Sequence, residues 1–475
     1  MNFSVIQQDP TIRALVQDNS LVRQFRDPLL PRNLFRGEAA AVHQPGNAGD
    51  FFVFTGAGLM SPNPNPRNPK NEPAPKDYQK EQWNMQLHEY YDRCPDTHMP
   101  TSIVAIVNLL NENLAALGKN AGQTLDRAVR DRLYNAGMSG WTVAAANAAA
   151  TATTVSVVRL NGLTTSRRPD LTTGSPVQFQ TISSNNPLQI NYVHGGTQYS
   201  FAAIGFTPEF SGDEVGPGTL TVATGGIPTA ISARDAIWSS DSTNIIRAAA
   251  GANSIDALSS TSTNGFTYDL YRQAIGRLED MSVPKMADGY YHVHMNSYSK
   301  GELFSSEEQQ RLLTSLPDHY WFKRYTLGEV LGGLIFNDVQ CPRKNTVIGG
   351  ATNTYVGGEE GEMFGGETIN TSGLEVQRPI FLGAESVYEY YNDLSGLVTE
   401  AGVCGVVGEF QPAELTNNGV EINVDRVQVY IRAPVNVKGD IVTSIWRSIM
   451  DWPTRTDATT GDAARMKRTV VVEHV

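Results

Sequence analysis

The residues with the most obvious chemical reach are two histidines, His292 and His294, in the run YYHVHM. Alternate residues of a strand share a face, so both imidazoles point the same way, and His319 could complete a zinc site. A pair satisfied by ordinary hydrogen bonds is the expectation, since no carboxylate or cysteine stands at ligand spacing beside them. Glu359, Glu360 and Glu362 lie in GGATNTYVGGEEGEMFGGET and offer oxygen ligands for calcium, but they read as a solvated acidic loop. Cys404, in GVCGVVG, lacks the neighbouring histidine a thiol nucleophile needs and reads as a small buried apolar residue. Trp446 and Trp452, with Ile445 and Met450, could stack nucleic-acid bases, yet they read as core. No glycine-rich loop ends in the lysine of a phosphate cradle, and no dinucleotide fingerprint opens a helix after a strand. The residue inventory therefore predicts no enzyme, no cofactor and no resident metal.

Composition narrows the classes further. The 475 residues hold 37 Lys plus Arg against 49 Asp plus Glu, a net charge of −12, which argues against a protein that coats phosphate through a basic surface. Contact with nucleic acid is expected to be local and weak. Cys94, Cys341 and Cys404 have neither metal-site nor disulfide spacing, as expected for folding in a reducing cytoplasm. The start, MNFSVIQQDPTIR, has no basic leader with an apolar core, and no run nears the roughly 18 apolar residues of a membrane span. Secretion and membrane insertion are not expected. The length calls for two or three domains, or a body with large insertions.

The positioning elements are more telling than the chemistry. A proline-rich excursion from Gly49 to Met99 runs into a predicted amphipathic helix, Pro100 to Gly137. Loops beyond about 15 residues are uncommon unless functional, so the excursion is expected to reach another molecule. It starts as a strand at Phe51 to Phe54, passes through SPNPNPRNPKNEPAPK, and returns through Trp83, Met85, Leu87 and Glu89. Prolines at the tip favour extended backbone and block ladder pairing. The helix stripe is Ile103, Ile106, Val107, Leu110, Leu114, Leu117, Ala121, Leu125, Ala128 and Leu133. Asn111, Glu112, Lys119, Gln123, Asp126, Arg127 and Arg130 form the other face, which is expected to be wet or to contact a polar partner.

Upstream, Met1 to Arg36 reads as a mildly basic arm with a short helix on Ile12, Leu15, Val16 and Val22 that breaks at Pro28 and Pro31. Its arginines suit phosphate or the carboxylates of a neighbouring subunit. From Trp141 to Ala236 charge becomes scarce, and VSVVRL, PVQFQTI, QINYV, QYSFAAI and GTLTVAT predict a small antiparallel barrel or sandwich inserted in another fold. Beyond it, a helix is predicted over Thr267 to Met281, a strand at YYHVHM, and a Ser305/Glu308 capping box before a helix through Leu312 and Leu313. Strands are expected at Leu334 to Val339, Pro379 to Leu382, Val427 to Ile431 and Thr469 to Val472. A helix-like or bent segment is expected through Ile445, Trp446 and Met450, completing an α+β body.

This order of parts resembles the major capsid proteins of tailed bacteriophages, with the Hong Kong 97-type fold, and the DYQKEQWNMQL-to-helix order resembles that of the N4-like phages. GDFFVFTGAGL to YYDRCPDTHM resembles the family's extended loop, and PTSIVAIVNLLNENLAALGKNAGQTLDRAVRDRLYNAG its spine helix. SVPKMADGYYHVHMNSYS and IRAPVNVKGDIVTSIWRSI, with the closing RTVVVEHV, are similar to the later domains. The resemblance implies an arm (1–48), an extended loop (49–99), the spine and start of a peripheral domain (100–140), an inserted β domain (141–236), more peripheral domain (237–330), an axial domain (331–425) and return strands (426–475). It implies a subunit of an icosahedral head, made in the host cytoplasm, assembling into pentamers and hexamers around double-stranded DNA, with portal, scaffolding or decoration proteins as partners. Arg13, Arg23 and Arg26 of the arm, and Phe51, Val53, Pro62, Pro64, Pro66, Arg67, Lys70, Lys76 and Trp83 of the loop, are the expected subunit-interface residues. The competing expectation is a phage-associated enzyme or carbohydrate-binding protein with a His292/His294 metal site.

Overall fold

The computed structural model describes residues 20–29, 34–44, 51–57, 80–94, 97–98, 106–168, 178–211, 216–239, 245–248, 258, 264–307, 311, 328–342, 344–345, 362–363, 376–392, 414–416, 419–432, 441–454 and 468–475. The chain forms two units. Met1–Phe54, Asn84–Val129 and Val387–Pro453 make the first; Thr55–Trp83, Arg130–Ser386 and Thr454–Val475 make the second. Both mix helix and sheet, so the fold class is α+β.

The longest element is the helix Ile106–Met138, 33 residues or about 50 Å of axis. Leu114, Leu117, Ala121, Leu125, Val129 and Leu133 bury a stripe at three- and four-residue steps. Val129 takes the place predicted for Ala128, which is only half-buried. On the opposite face Asp126 and Arg130 are fully buried and meet the second of its two expectations, a polar partner: Asp126 accepts from the Arg36 N–H, and Arg130 donates to the Gln340 carbonyl at 2.9 Å. The predicted start at Pro100 and Thr101 lies outside the described residues.

In the first unit, the helix Ser20–Leu29 buries Phe25 and Leu29. Pro28 lies inside this helix, in its last turn, and the helix ends at Leu29, between the two prolines, Pro28 and Pro31, where the break was expected. Gly118 explains how the helix approaches its neighbour: a Cβ there would stand 2.4 Å from the Phe25 carbonyl oxygen. An eight-stranded sheet completes the unit, in the order Ala40–Gln44, Tyr388–Asn392, Ile441–Asp451, Val427–Arg432, Gly419–Val424 and Glu414–Thr416, with His88–Arg93 and Thr97–His98 also paired to Ile441–Asp451. The segment through Ile445, Trp446 and Met450 is thus an 11-residue strand, contrary to the helix-like expectation. Its burial has period two, with Ser444, Trp446, Ser448 and Met450 inside and Ile445, Arg447 and Ile449 half-exposed, which a helix would not give.

The second unit holds two six-stranded sheets, beside two-stranded pairings. The first runs Trp141–Val143, Ala236–Ser239, Leu188–His194, Thr197–Pro208, Gly218–Val222 and Thr154–Val157, every pairing antiparallel. Its ends meet at an Ala144/Val157 bridge, where Val158 N–H donates to Val143 O at 3.1 Å. The sheet therefore closes into a barrel filled by Val155, Val157, Leu188, Ile190, Phe201, Leu220 and Ile237. Gly195 and Gly196, at φ 56° and 81°, make its tightest hairpin turn, a conformation that suits glycine at both central positions.

The second sheet is mixed: Ile245–Arg247, Thr469–Glu473, Ile380–Leu382, Tyr291–Met295, Gly333–Asn337 and Glu329–Val330. The helix Tyr268–Asp280 covers it, with Leu270, Tyr271, Ala274, Ile275 and Leu278 packed in one cluster with Val293, Phe381, Val470 and Val472. The helix predicted over Thr267 to Met281 is present, and Thr267 proves to be its cap, accepting from Leu270 N–H. Thr469–Glu473 is buried throughout: a Cβ on Gly137 would meet Val471 at 2.4 Å, on the face opposite Val470 and Val472. Ser305 ends the helix Ser297–Ser305, whose start is capped by Asn296 and escaped the sequence reading. Helix resumes at Glu307, which pairs with Arg311 one turn on, so a helix does follow Ser305; Glu308, Leu312 and Leu313 lie outside the described residues.

Candidate assembly segments and a buried ion-pair socket

The excursion is built by two strands, Phe51–Ala57 and Lys80–Gln86, that pair with each other and with no other strand among the described residues. Phe51 and Val53 lie on the outgoing strand and Trp83 on the returning one. The proline-bearing stretch 58–79, with Pro62, Pro64, Pro66, Arg67, Lys70 and Lys76, lies outside the described residues, as does Arg13. Arg23 is exposed on the helix Ser20–Leu29, and Arg26 pairs with Asp27 at 2.9 Å. These arginines share one element.

The strongest electrostatic feature is one the sequence reading missed. Arg36, 5% exposed, follows the buried Phe35 and opens a single 3-10 turn, Arg36–Glu38. Its guanidinium donates to Glu389 through Nε at 2.6 Å and Nη2 at 3.0 Å, and to Asp425 Oδ2 through Nη1 at 2.9 Å. Its peptide N–H donates to Asp126 Oδ1 at 3.0 Å. Arg426 pairs with the same Glu389 carboxylate, and Trp452 Nε1 approaches Glu389 Oε2 at 3.4 Å. Burial alone would raise the Glu389 pKa, but Arg36 and Arg426 together outweigh it and hold the carboxyl below its ordinary value. Burial likewise opposes the Arg36 charge, and Glu389, Asp425 and Asp126 more than compensate.

Asp425 and Arg426 occupy the turn between Gly419–Val424 and Val427–Arg432, both at positive φ, 47° and 66°. Neither is glycine, so the tight hairpin carries backbone strain. A signal existed in the sequence: VDRV between two alternating apolar runs marks a two-residue turn. Its pairing with Arg36, 389 positions away from Asp425, was beyond reach.

The second unit holds a comparable ion pair. Arg247 Nε donates to Glu473 Oε2 at 2.7 Å and Arg378 Nε to Glu473 Oε1 at 3.2 Å. Burial works against the Glu473 charge, and the two arginines outweigh it, so its carboxyl too lies below the ordinary range.

His292 and His294 do share a face, both packing on the Phe336 ring at 4.9 and 5.2 Å. Carboxylates do stand beside them, contrary to expectation: Asp288 Oδ2 is 2.8 Å from His292 Nε2, and Asp338 Oδ2 is 3.4 Å from His294 Nδ1. They serve one histidine each, and among the described residues no group of three or more His, Cys, Asp or Glu could hold a metal. His319 and Cys404 lie outside the described residues, as do Glu359 and Glu360. Trp446 and Trp452 are fully buried, Trp446 donating to Asn120 Oδ1 at 2.7 Å, so they are core as predicted.

One constellation has the outline of a nucleophile with its base. His474 Nε2 is 2.8 Å from Ser299 Oγ, and His474 Nδ1 is 2.9 Å from Glu302 Oε2. Ser299 and Glu302, three apart on one helix, fall on the same side. Ser299 is 1% exposed and His474 0%, with Phe266 stacked on the ring at 5.0 Å. The three groups tie the helix Ser297–Ser305 to the end of the strand Thr469–Glu473, with no room for a reacting atom beside the hydroxyl.

No family description and no curated protein matches the sequence. The structure is similar in chain course to solved phage capsids. It is 11% identical to the capsid of Ralstonia phage GP4, covering 91% of this chain and 86% of that one, with a TM-score of 0.44. Against the cyanophage Pam1 capsid the values are 7% identity, 95% and 92% coverage and 0.47. Against the head of Helicobacter pylori bacteriophage KHP40 they are 7%, 92% and 90%, and 0.43. No helix among the described residues is long and apolar enough to cross a membrane.

Proposed function

We propose that this chain is a structural, self-assembling subunit of a tailed-phage head, with a Hong Kong 97-type fold. The carrying observation is a succession within the chain: two strands that, among the described residues, pair only with each other bracket a proline-rich span of 22 residues (58–79), and a 33-residue helix follows them. An isolated two-stranded ribbon is marginal in water, so it calls for a surface to lie on. In a closed shell that surface belongs to a neighbouring copy.

On this reading the ribbon and the arm, with Arg23, Arg26, Phe51, Val53 and Trp83 among their residues, contact adjacent subunits in pentamers and hexamers. The domain boundaries follow the arm, loop, spine, peripheral and axial order given above. A net charge of −12 suits a wall that must not grip packaged DNA. Portal, scaffolding and decoration proteins are the further partners, and the virion is the place of action.

Electron microscopy of the purified protein tests this directly, with closed shells or rings of five and six as the expected result. Deletion of Pro62 to Lys76 is expected to leave a folded subunit that no longer forms shells. Normal shells from that variant would remove the role assigned to the loop.

A further inference from the structure

Arg36 enters a pocket that is built for a guanidinium. Asp126, Glu389 and Asp425 supply three carboxylates, and Arg426 one compensating cation. With Arg36 in place there are three carboxylates to two guanidiniums, and without it three to one. The two Nε/Nη2 bonds to Glu389 form the planar fork that a guanidinium matches and an ammonium does not. The Asp425 carbonyl oxygen accepts a further bond from Nη2 at 2.9 Å.

The segment that carries Arg36 is otherwise lightly fastened. Ala40–Gln44 stands at the end of the strand order, with Tyr388–Asn392 its single neighbour among the described strands. Ala40, Ala41 and Val42 are half-buried or exposed, so this strand brings little apolar burial of its own. Upstream, Leu34 is 38% exposed, and among the described residues 34–42 Phe35 is the one buried apolar side chain. A segment with few apolar contacts and a peripheral ladder opens at low free energy unless something pins it.

We infer that Asp126, Glu389, Asp425 and Arg426 form a guanidinium-binding socket, and that Arg36 is the key fastening residues 34–44 as a strap able to detach while the rest of the sheet stays folded. This inference rests on the first unit alone and stands whether or not the chain builds shells. The socket's ligand class is a planar guanidinium, supplied in place by the chain itself.

The test is hydrogen exchange on the full chain, comparing backbone amides of Ala41–Gln44 with those of Val427–Arg432. In R36A the strap amides are expected to exchange at least about tenfold faster while the inner strand changes far less. Guanidinium chloride at millimolar concentration, well under the molar range that unfolds proteins, is expected to restore protection where equal sodium chloride does not. Asp425→Asn trims the socket at its half-exposed edge and leaves Glu389 intact, so it serves as the milder variant should R36A fail to fold. Its expected result is the same selective loosening, smaller in size. Unchanged strap amides in either variant, equal loosening of both strands in D425N, or equal rescue by the two salts would each overturn the socket.

Discussion

Arg36 Nε lies 2.6 Å from Glu389 Oε2, although 353 positions separate them in the chain. Both side chains are at most 4% exposed, so the pair has left water almost completely. Such a pair is costly to form and far more costly to halve.

Glu389→Gln is therefore expected to destabilise the first unit by about 3–5 kcal/mol, since it leaves the Arg36 charge buried with its strongest partner neutralised. Chemical denaturation of the variant against the parent measures this. A loss below about 1 kcal/mol, as for a surface pair, would show the network to be far wetter than its burial implies.

Acid carries the same signature. Glu389 is held below its ordinary pKa by Arg36 and Arg426 against its burial, so its stabilisation is present above the unfolded-state value and is lost as pH falls through the folded one. Glu473, between Arg247 and Arg378, adds a loss of the same sign. Stability followed through the acid range is expected to fall from about pH 4 downward, near the ordinary carboxylate value. The E389Q variant should show a shallower slope, with Glu473 supplying part of what remains.

The hairpin turn at Asp425 and Arg426 poses two opposing effects. Arg426→Gly relieves a left-handed residue worth about 1–2 kcal/mol. It also removes one of two cations from buried Glu389, at a cost of up to about 3–5 kcal/mol, discounted because Arg426 is 27% exposed. The net expectation is a modest destabilisation, read by thermal unfolding; a clear gain in stability would mean that backbone strain dominates the turn.

At Gly118 the space is taken by backbone. A Cβ 2.4 Å from the Phe25 carbonyl forces the two helices apart, and Gly118→Ala is expected to cost about 1–3 kcal/mol despite alanine's better helix propensity. Faster amide exchange within Ser20–Leu29 would locate the damage. A stabilised variant would show that the two helices do not touch there.

The barrel offers a contrasting pair. Gly195→Asn keeps a residue that accepts positive φ and is expected to be tolerated, whereas Gly195→Val, with an equally open environment, is expected to cost more than about 1 kcal/mol. Melting temperatures separate the two, and equal effects would remove φ as the reason for glycine.

Much of the fold could be read from residue spacing, and the misreadings have physical causes. The stripe Leu114 to Leu133 and the helix Tyr268–Asp280 were legible because they are local and periodic. The strand Ile441–Asp451 was misread because Ile445, Trp446, Ile449 and Met450 also fit a helical face; only the buried serines Ser444 and Ser448 settle its period as two. Charge placed Asp126 and Arg130 on a face either wet or held by a polar partner, and could not say which, since the partners that take them inside are distant in the chain. The ion-pair socket was invisible for the same reason: its residues come from the arm, the long helix, an inner strand and a hairpin turn, and no sequence interval encodes their meeting. The histidine pair was legible in placement but not in company, since Asp338 reaches His294 from a separate segment.

The barrel's first and last strands are neighbours, with Trp141 opposite Trp238 and their rings stacked 5.3 Å apart. The chain thus leaves the surrounding fold and returns to it at points about one strand spacing apart, near 5 Å. A module attached in this way has a doorway no wider than a hairpin turn. Its size and surface are free to change while the rest of the molecule sees only two adjacent backbone ends.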